Sequence, residues 1–287
     1  MNGFELYSYL GNDDKKALQM FQEEGIIHTA RKCQNNHDMK LLLSETRGFR
    51  WRCYKCRKEK GAFAGTWLEG TRLSLCKVLV FMYAWVNEYT STKYCVKELG
   101  LSLQTITDWK NMFREVCAND ILCNPILIGG EGKTVEIDES CFSRRKYNVG
   151  RIYPQQWVFG GVCRETKETF LYAVEDRTAN TLLQCIKECI KPGTTIMSDL
   201  WKSYDKISEI PGMNFTHYRV NHSKNFVDPV TGAHTQTVES LWAAAKIRNK
   251  KECGTRRSLL DSYLCEFVWR RRHEGCLLYT SPSPRDA

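Results

Sequence analysis

The chain has 287 residues, of which 42% are hydrophobic, and carries a formal net charge of +9 at pH 7. This length allows a full α/β core with one or two small modules, and the positive charge favours a polyanion such as nucleic acid as partner. The N-terminus lacks the apolar segment of a secretion signal, and the longest apolar run, residues 73–86, is too short to cross a bilayer. We therefore expect a soluble intracellular protein with no membrane contact. Its 14 cysteines should be reduced thiols, some of them metal ligands.

Residues 1–30 are predicted to form an N-terminal helical segment. The pattern indicates one helix over residues 13–27, capped by Asp13 and ending near Gly25. No chemistry follows from this segment.

Residues 31–66 are predicted to form a zinc ribbon. Two close pairs of ligand-type residues, Cys33 with His37 and Cys53 with Cys56, flank two short strand-like runs at residues 39–43 and 48–52. Each pair can hold one side of a tetrahedral zinc ion, and four protein ligands leave no open position, so the metal should be structural. The alternative is a coincidence in a cysteine-rich chain.

Residues 67–118 are predicted to form a helix-turn-helix DNA-binding module. A strongly apolar helix over residues 73–88 precedes a short helix, a Leu-Gly-Leu-Ser turn and a second helix capped by Ser102. Ile106 and Trp109 should face inward, which leaves Gln104 and Thr105 to contact DNA. Alternatively, these are two packed helices with no role in DNA binding.

Residues 119–133 contain Pro125 and a glycine-rich run, and predict a linker to a domain at residues 134–273. In that domain strands are predicted at residues 134–140, 157–163, 168–174, 194–199 and 217–221. A helix is predicted at residues 178–190, and another begins at residue 234. This order is that of an RNase H-like α/β domain, in which the fourth strand pairs beside the first.

That topology would bring three acids together: Asp138 on the first strand, Asp199 at the end of the fourth and Glu239 on the last helix. In this helix an apolar arc should be buried, while Glu239 shares a separate edge with Lys246. Carboxylates so placed could hold two magnesium (or manganese) ions for phosphoryl transfer on DNA. Glu136 or Glu139 could replace Asp138 as the ligand, and the helix edge could simply be solvated.

Four blocks of the chain resemble the catalytic blocks of Merlin-type cut-and-paste transposases and their bacterial, ISXO2-like insertion-sequence relatives. The blocks begin at Val135, Ser198, Asn221 and His234, and the resemblance extends from about Cys33 to about Arg272. It implies a DDE triad at Asp138, Asp199 and Glu239, with magnesium-dependent strand cleavage and joining at terminal inverted repeats. The first zinc pair departs from the expected Cys-x-x-Cys, because His37 stands where a thiolate is usual.

Further candidates for DNA contact surround these blocks. Each has an ordinary alternative: Tyr204 could belong to the core, His234 could cap its helix, and the basic run at residues 144–146 could be a solvated loop. The candidates are Lys246, Lys202, Tyr204, His222, His234, Arg144 and Lys146.

The sequence therefore predicts a DNA transposase that acts as a homo-oligomer on double-stranded DNA, and in a eukaryote it would work in the nucleus. One alternative is a domesticated zinc-containing DNA-binding protein that does not cut, and another is an RNase H-like nuclease without strand transfer. Residues 274–287 resemble translated sequencing-adapter sequence, so we expect a non-native tail whose true C-terminus is lost.

Overall fold

The computed structural model describes residues 2–44, 48–142, 155–221, 234–251 and 257–273. The chain divides into two compact units, residues 1–112 and residues 113–274. None of the helices in these described ranges is long and apolar enough to span a membrane.

The first unit begins with two helices where one was predicted. Helix α1 (Gly3–Leu10) ends at Gly11, whose left-handed φ of 51° turns the chain into α2 (Asp14–Glu23). The Asp13 side chain caps α2, as predicted, by accepting a hydrogen bond from the Lys15 N–H. Both helices pack on α3 (Leu75–Val86), the predicted apolar helix.

A small antiparallel sheet follows α2 in the chain. Strands β1 (Lys40–Ser44) and β2 (Gly48–Arg52) form the predicted pair, and a third strand, β3 (Glu59–Gly61), adds to β2. The sequence did not predict β3, because three residues with two charges carry no clear alternation of polar and apolar side chains.

The predicted pair of helices is present as α4 (Thr92–Leu99) and α5 (Leu103–Cys123). Gly100 ends α4 in the left-handed conformation, with φ 63°, and the Ser102 hydroxyl accepts the Thr105 N–H at 3.1 Å. The predicted start of the linker at residue 119 is wrong as secondary structure, because α5 continues to Cys123. Pro125 disfavours helical geometry at the residue before it, which ends the helix there rather than earlier.

The second unit contains a five-stranded mixed sheet. Its strands are β5 (Thr134–Cys141), β6 (Trp157–Cys163), β7 (Thr169–Val174), β9 (Thr195–Ser198) and β10 (Thr216–Arg219). Their order is β10-β9-β5-β6-β7. β5 runs antiparallel to β6 and parallel to β9. The fourth strand of the domain thus lies beside the first, as predicted, and the order and directions are those expected of an RNase H-like sheet.

Three helices accompany the sheet. Helix α6 (Ala179–Cys189) contributes Leu182 and Ile186 to the main core, together with Ile137 of β5. Helix α7 (Gln236–Lys251) contacts β5 and β6, and α8 (Leu260–Arg272) contacts β7. The sequence predicted no element at α8. It also missed the short parallel pair β4 (Ile128–Gly129) and β8 (Ile190–Lys191).

The predicted burial of α7 is confirmed. Val238, Leu241, Trp242 and Ala245 are buried, whereas Glu239 is exposed. The Trp242 indole is close to the sheet because β6 has a glycine beneath it. A Cβ at Gly160 would lie 2.9 Å from the Trp242 ring and 2.5 Å from a Leu171 methyl carbon. Gly160 therefore sets the spacing between α7 and the sheet.

We expect Gly160→Ala to destabilise the fold by about 1–3 kcal/mol, the usual cost of overpacking a core. The measurement is the free energy of unfolding in urea. Gly61→Ala is the matched control, because a Cβ at Gly61 meets no atom within 4 Å and its φ is not left-handed. Equal stability of both variants and the wild type would contradict this account of Gly160.

Candidate active site and zinc cluster

Cys33, His37, Cys53 and Cys56 meet in the first unit, and their ligand atoms all lie within 4.8 Å of one another. The Cys33 and Cys56 sulfurs are 3.8 Å apart, and His37 Nδ1 is 3.2 Å from the Cys56 sulfur. A tetrahedral zinc with bonds of about 2.3 Å would separate two sulfurs by about 3.8 Å. The cluster is therefore compatible with a structural zinc, and His37 takes the position predicted for it.

The backbone around each ligand pair forms a tight turn. The Cys33 N–H donates to the His37 carbonyl, and the Cys53 N–H donates to the Lys58 carbonyl, both at 2.9 Å. Each turn includes a non-glycine residue with left-handed φ, 57° at Asn36 and 54° at Arg57. These turns aim the side chains of each pair at one point.

The second unit places the Asp138 carboxyl group in a largely buried position on β5. Burial, together with the nearby charges of Glu139 and Asp199, raises its pKa to about 7. The Trp242 indole N–H donates to Asp138 Oδ2 at 3.0 Å. This bond fixes the orientation of the carboxyl group from the direction of α7.

Glu139 and Tyr204 form a hydrogen-bonded pair beside Asp138. The Tyr204 hydroxyl donates to Glu139 Oε2, and the ring is fully buried. Burial raises the pKa of both groups. The second carboxylate oxygen, Glu139 Oε1, is buried with no hydrogen-bond partner among the described residues. An unpaired buried carboxylate oxygen next to two other acids fits a cation that binds there.

Asp199 lies immediately after β9, at the end of the strand that pairs with β5. Its Oδ1 accepts the backbone N–H of Trp201 at 2.9 Å, and its backbone carbonyl accepts the Ser198 hydroxyl. The first bond holds the side chain across its own turn. The position of Asp199 is thus set locally, while the pairing of β9 with β5 sets its proximity to Asp138.

Glu136 has a structural role at the start of α7. Its carboxylate is fully buried and accepts the backbone N–H groups of Thr237 and Val238, at 2.8 and 3.0 Å. Arg164 Nε is 2.5 Å from its other oxygen. The first turn of α7 and an arginine already use both oxygens, which favours Asp138 or Glu139 over Glu136 as the metal ligand expected on β5.

Glu239 and Lys246 lie along one edge of α7. Glu239 is exposed on the first turn, and Lys246 is partly exposed two turns later. Trp242 follows Glu239 by three residues, so the two side chains are neighbours on the helix surface. The structure therefore brings Glu239 to the part of α7 whose indole reaches Asp138.

Within the described residues, the Cys33 cluster is the only group of three or more potential ligands gathered within 4.8 Å. Asp138, Asp199 and Glu239 are thus not drawn together as tightly, and like-charged carboxylates repel at such distances. Their hard oxygen donors, together with the unpaired oxygen of Glu139, fit magnesium better than a softer metal.

The other residues predicted to bind DNA differ in their exposure and position. Lys202 is exposed in the short 3-10 helix after Asp199. The prediction for Tyr204 is wrong, because its ring lies in the core and cannot reach DNA. His234 lies at the start of α7 with Nδ1 3.4 Å from Glu136 Oε1, beside the helix end whose capping was the alternative to DNA contact. Arg144, Lys146 and His222 lie outside the described residues.

Gln104 and Thr105 lie at the start of α5. The Gln104 side chain is exposed and donates to Asp108, and the Thr105 hydroxyl is hydrogen-bonded to that of Ser102. Both side chains are on the outer side of the helix, as predicted, while Ile106 is buried.

The sequence did not predict the hydrogen bond from Trp242 to Asp138, the hydrogen bond from Tyr204 to Glu139 or the position of Arg177 near Glu139. Burial raises the pKa of the Glu139 carboxyl group, and the Arg177 guanidinium lies close enough to offset part of that rise. No spacing in the sequence signals these contacts, since each joins residues more than 35 positions apart. Only the apolar arc of α7 indicated that Trp242 would face the sheet.

Removal of a cluster ligand should release the metal. We expect one zinc ion per chain in the wild type and none in Cys53→Ser, with loss of the cooperative unfolding of the first unit. Metal content by mass spectrometry and thermal unfolding measure this. Cys123→Ser, at an exposed thiol outside the cluster, should keep its zinc. Full zinc content in Cys53→Ser would contradict the assignment.

Because the pKa of Asp138 is raised, we expect the free energy of unfolding to depend on pH. Between about pH 4 and pH 7 the folded state binds more protons than the unfolded state, so stability falls as pH rises through this range. Asp138→Asn removes the effect and should stabilise the protein at pH 8 by at most about 4 kcal/mol, since each pKa unit is worth about 1.4 kcal/mol. At pH 4 it should change little.

Urea unfolding in magnesium-free buffer at both pH values tests this. Asp261→Asn, an exposed acid on the first turn of α8, is the control and should show no such pH-dependent gain. A destabilised Asp138→Asn at pH 8 would show that the carboxylate is not under electrostatic strain.

Two known proteins are similar to this chain in sequence. The chain is 24% identical over 242 residues to male abnormal protein mab-31 of Caenorhabditis elegans, a match that covers 75% of this chain and 56% of that protein. It is 28% identical over 103 residues to an uncharacterised transposase-like protein of Haemophilus influenzae, covering 36% of this chain and 80% of that protein. The chain therefore spans little more than half the length of the nematode relative.

Two solved structures have weaker similarity. The integrase catalytic core domain of HTLV-2 in complex with magnesium matches at 14% identity and TM-score 0.34, over 50% of this chain and 86% of that chain. The BIV integrase catalytic core domain matches at 12% identity and TM-score 0.33, over 53% and 91%.

The second unit is matched almost completely by a family model. Residues 128–272, from β4 to the end of α8, match the model of the ISXO2-like transposase domain. Because this match covers half of the chain and includes Asp138, Asp199 and Glu239, the protein belongs to the ISXO2-like transposase domain family.

Proposed function

We propose that the protein is a DNA transposase that cuts DNA at the ends of a mobile element and joins those ends to target DNA. The observation that carries the proposal is the approach of Asp138 to Asp199. Paired strands bring the two together from positions 61 residues apart, and burial with neighbouring carboxylates raises the pKa of Asp138 to about 7. Such a strained acidic site is typical of a metal-dependent active centre.

Asp138, Asp199 and Glu239 would hold two magnesium ions. Bound magnesium supplies activation of the attacking oxygen and neutralises charge on the leaving oxygen of a phosphodiester. Water would attack first and release a 3′-hydroxyl at the element's end, and that hydroxyl would then attack target DNA.

The protein's own contribution to this chemistry is orientation. Trp242 holds Asp138 by one hydrogen bond, and the Trp201 backbone N–H holds Asp199. The Tyr204 hydroxyl donates to one oxygen of Glu139, and the other oxygen has no hydrogen-bond partner among the described residues. Fixed carboxylates reduce the reorganisation that the reaction would otherwise need.

DNA would also contact the basic surfaces. In this proposal Lys246 and Lys202 face the phosphate backbone near the carboxylates, and α5 offers Gln104 and Thr105 to the element's end. The net charge of +9 supports a polyanionic partner, and binding by these cations should weaken steeply with salt. Assembly as a homo-oligomer on DNA and action in the nucleus belong to the same proposal.

A second candidate function is DNA binding without cleavage. It is favoured by one observation, that the relative mab-31 is named for a male abnormality rather than for transposition. The retained acids at Asp138, Asp199 and Glu239 favour the transposase instead.

Asp199→Asn should retain DNA binding and lose cleavage by at least about a thousandfold, because only the metal site changes. The substrate is a duplex carrying the inverted repeat that brackets the coding region in its genome. Nicking with magnesium is followed on denaturing gels and binding by fluorescence anisotropy.

Asp205→Asn is the matched control. Asp205 is exposed near the same turn and pairs with Arg219, so its loss should leave cutting within about twofold. Undiminished cutting by Asp199→Asn would refute its role. A wild type that binds the repeat but never nicks it would favour the second candidate.

A further inference from the structure

Arg177 lies in the loop between β7 and α6, and two tryptophan rings hold it. Its guanidinium carbon is 3.8 Å from the centroid of the Trp157 ring and 4.5 Å from that of Trp201. Both distances are well within the range of a cation–π interaction. Stacking on an indole uses the faces of a guanidinium and leaves the N–H donors at its edge available for hydrogen bonds.

The backbone of Arg177 is fixed as well. Its carbonyl accepts the Ser203 hydroxyl at 2.7 Å and the Trp201 indole N–H at 3.3 Å. Both donors belong to the turn that follows Asp199. The loop that carries Arg177 is therefore tied to the segment that carries one of the proposed metal ligands.

The position of the guanidinium relative to the acids is the third observation. The backbone N–H of Trp201, on whose ring the guanidinium lies, donates to Asp199 Oδ1 at 2.9 Å, so Arg177 lies beside the turn that carries this acid. Asp176, which precedes Arg177 in this loop, accepts three hydrogen bonds from the start of α6 and so faces that helix. Arg177 is thus a cation held rigidly at the rim of the carboxylate site.

A full salt bridge to Glu139 would explain Arg177 without any ligand. The contacts do not favour this explanation, since no ion pair within 4.0 Å joins the two among the described residues, and Glu139 takes its hydrogen bond from Tyr204. A rigid, planar donor set beside a group of acids is suited to an anion that must approach those acids. In a site that acts on DNA, that anion is a backbone phosphate.

We propose that Arg177, clamped by Trp157 and Trp201, binds one phosphodiester of the DNA strand that enters the carboxylate site. The inference rests on the proposed function, because it assumes that DNA is the substrate. Arg177 would act as a binding residue that aligns the strand, and Trp157 and Trp201 as positioning residues that keep its edge turned outward. The ligand is a phosphate of the backbone, so the contact carries no base preference.

A protein–DNA double-mutant cycle tests the contact directly. The full chain is titrated into fluorescent duplexes carrying the flanking inverted repeat, without added magnesium so that no cutting occurs. Each duplex has a neutral methylphosphonate in place of one phosphodiester around the repeat's end. We expect one position at which this change weakens wild-type binding about 10- to 100-fold, the usual worth of a charged hydrogen bond.

Arg177→Ala should bind unmodified DNA more weakly by a similar factor, and the methylphosphonate at that position should weaken it no further. Arg177→Lys keeps the charge but loses the planar edge, so it should recover only part of the affinity and guards against misfolding of the alanine variant. Lys187→Ala removes one exposed cation from α6 and should bind like the wild type. Thermal unfolding of each variant reports any loss of structure.

The inference is overturned if Arg177→Ala binds as tightly as the wild type, or if the wild type does not bind the duplex. It is also overturned if the losses of affinity from Arg177→Ala and from the methylphosphonate are independent at every position. Wild-type nicking with magnesium on the same DNA tests the proposed function separately. If Arg177 couples to one phosphate but the wild type does not nick the DNA, the phosphate contact is supported and the proposed transposase activity is rejected. If the wild type nicks the DNA but no coupling is found, the activity is supported and the phosphate contact is rejected.

Discussion

The carboxylate of Glu136 joins α7 to the sheet, and the geometry of the candidate active site depends on that junction. The first turn of a helix has backbone N–H groups with no partner inside the helix, and a buried anion stabilises them. Glu136 supplies that anion from the middle of β5, while Arg164 balances its charge and also donates to the His234 carbonyl at 2.7 Å. This arrangement fixes the start of α7 over β5, and with it the helix turn that carries Glu239 and Trp242.

The acids of β5 illustrate how one strand can serve two purposes. Glu136 is fully buried but satisfied by α7 and Arg164, so its charge contributes to the fold. Asp138 is largely buried near other carboxylates, and its pKa rises to about 7. Their partners differ, and a buried carboxylate stays ionised only where donors or cations compensate for the lost water. A bound cation is what would compensate at Asp138.

The aromatic residues around the site act chiefly on geometry. Trp242 sits over Gly160 and orients Asp138, and Tyr204 is fully buried against Phe159 while it holds Glu139. Trp157 and Trp201 hold Arg177 at the rim. Rings of this size have few rotamers once packed, so each fixes a polar group at low entropic cost. The surroundings of the carboxylates are therefore rigid on several sides.

The sequence by itself determined the five strands of the main sheet and helices α6 and α7, since alternation in β5 and the apolar arc of α7 are local patterns with a fixed period. It also determined the ligands of the cysteine–histidine cluster, because residues that clamp one ion must come in closely spaced pairs. It could not determine that Glu136 is bound by α7 and Arg164, or that Tyr204 belongs to the core. Those outcomes depend on contacts between residues up to about a hundred positions apart. Only the tertiary structure supplies the N–H groups of α7 that occupy Glu136 and the rings that surround Arg177, because the energy of a buried charge is set by neighbours in space and not by neighbours in the chain.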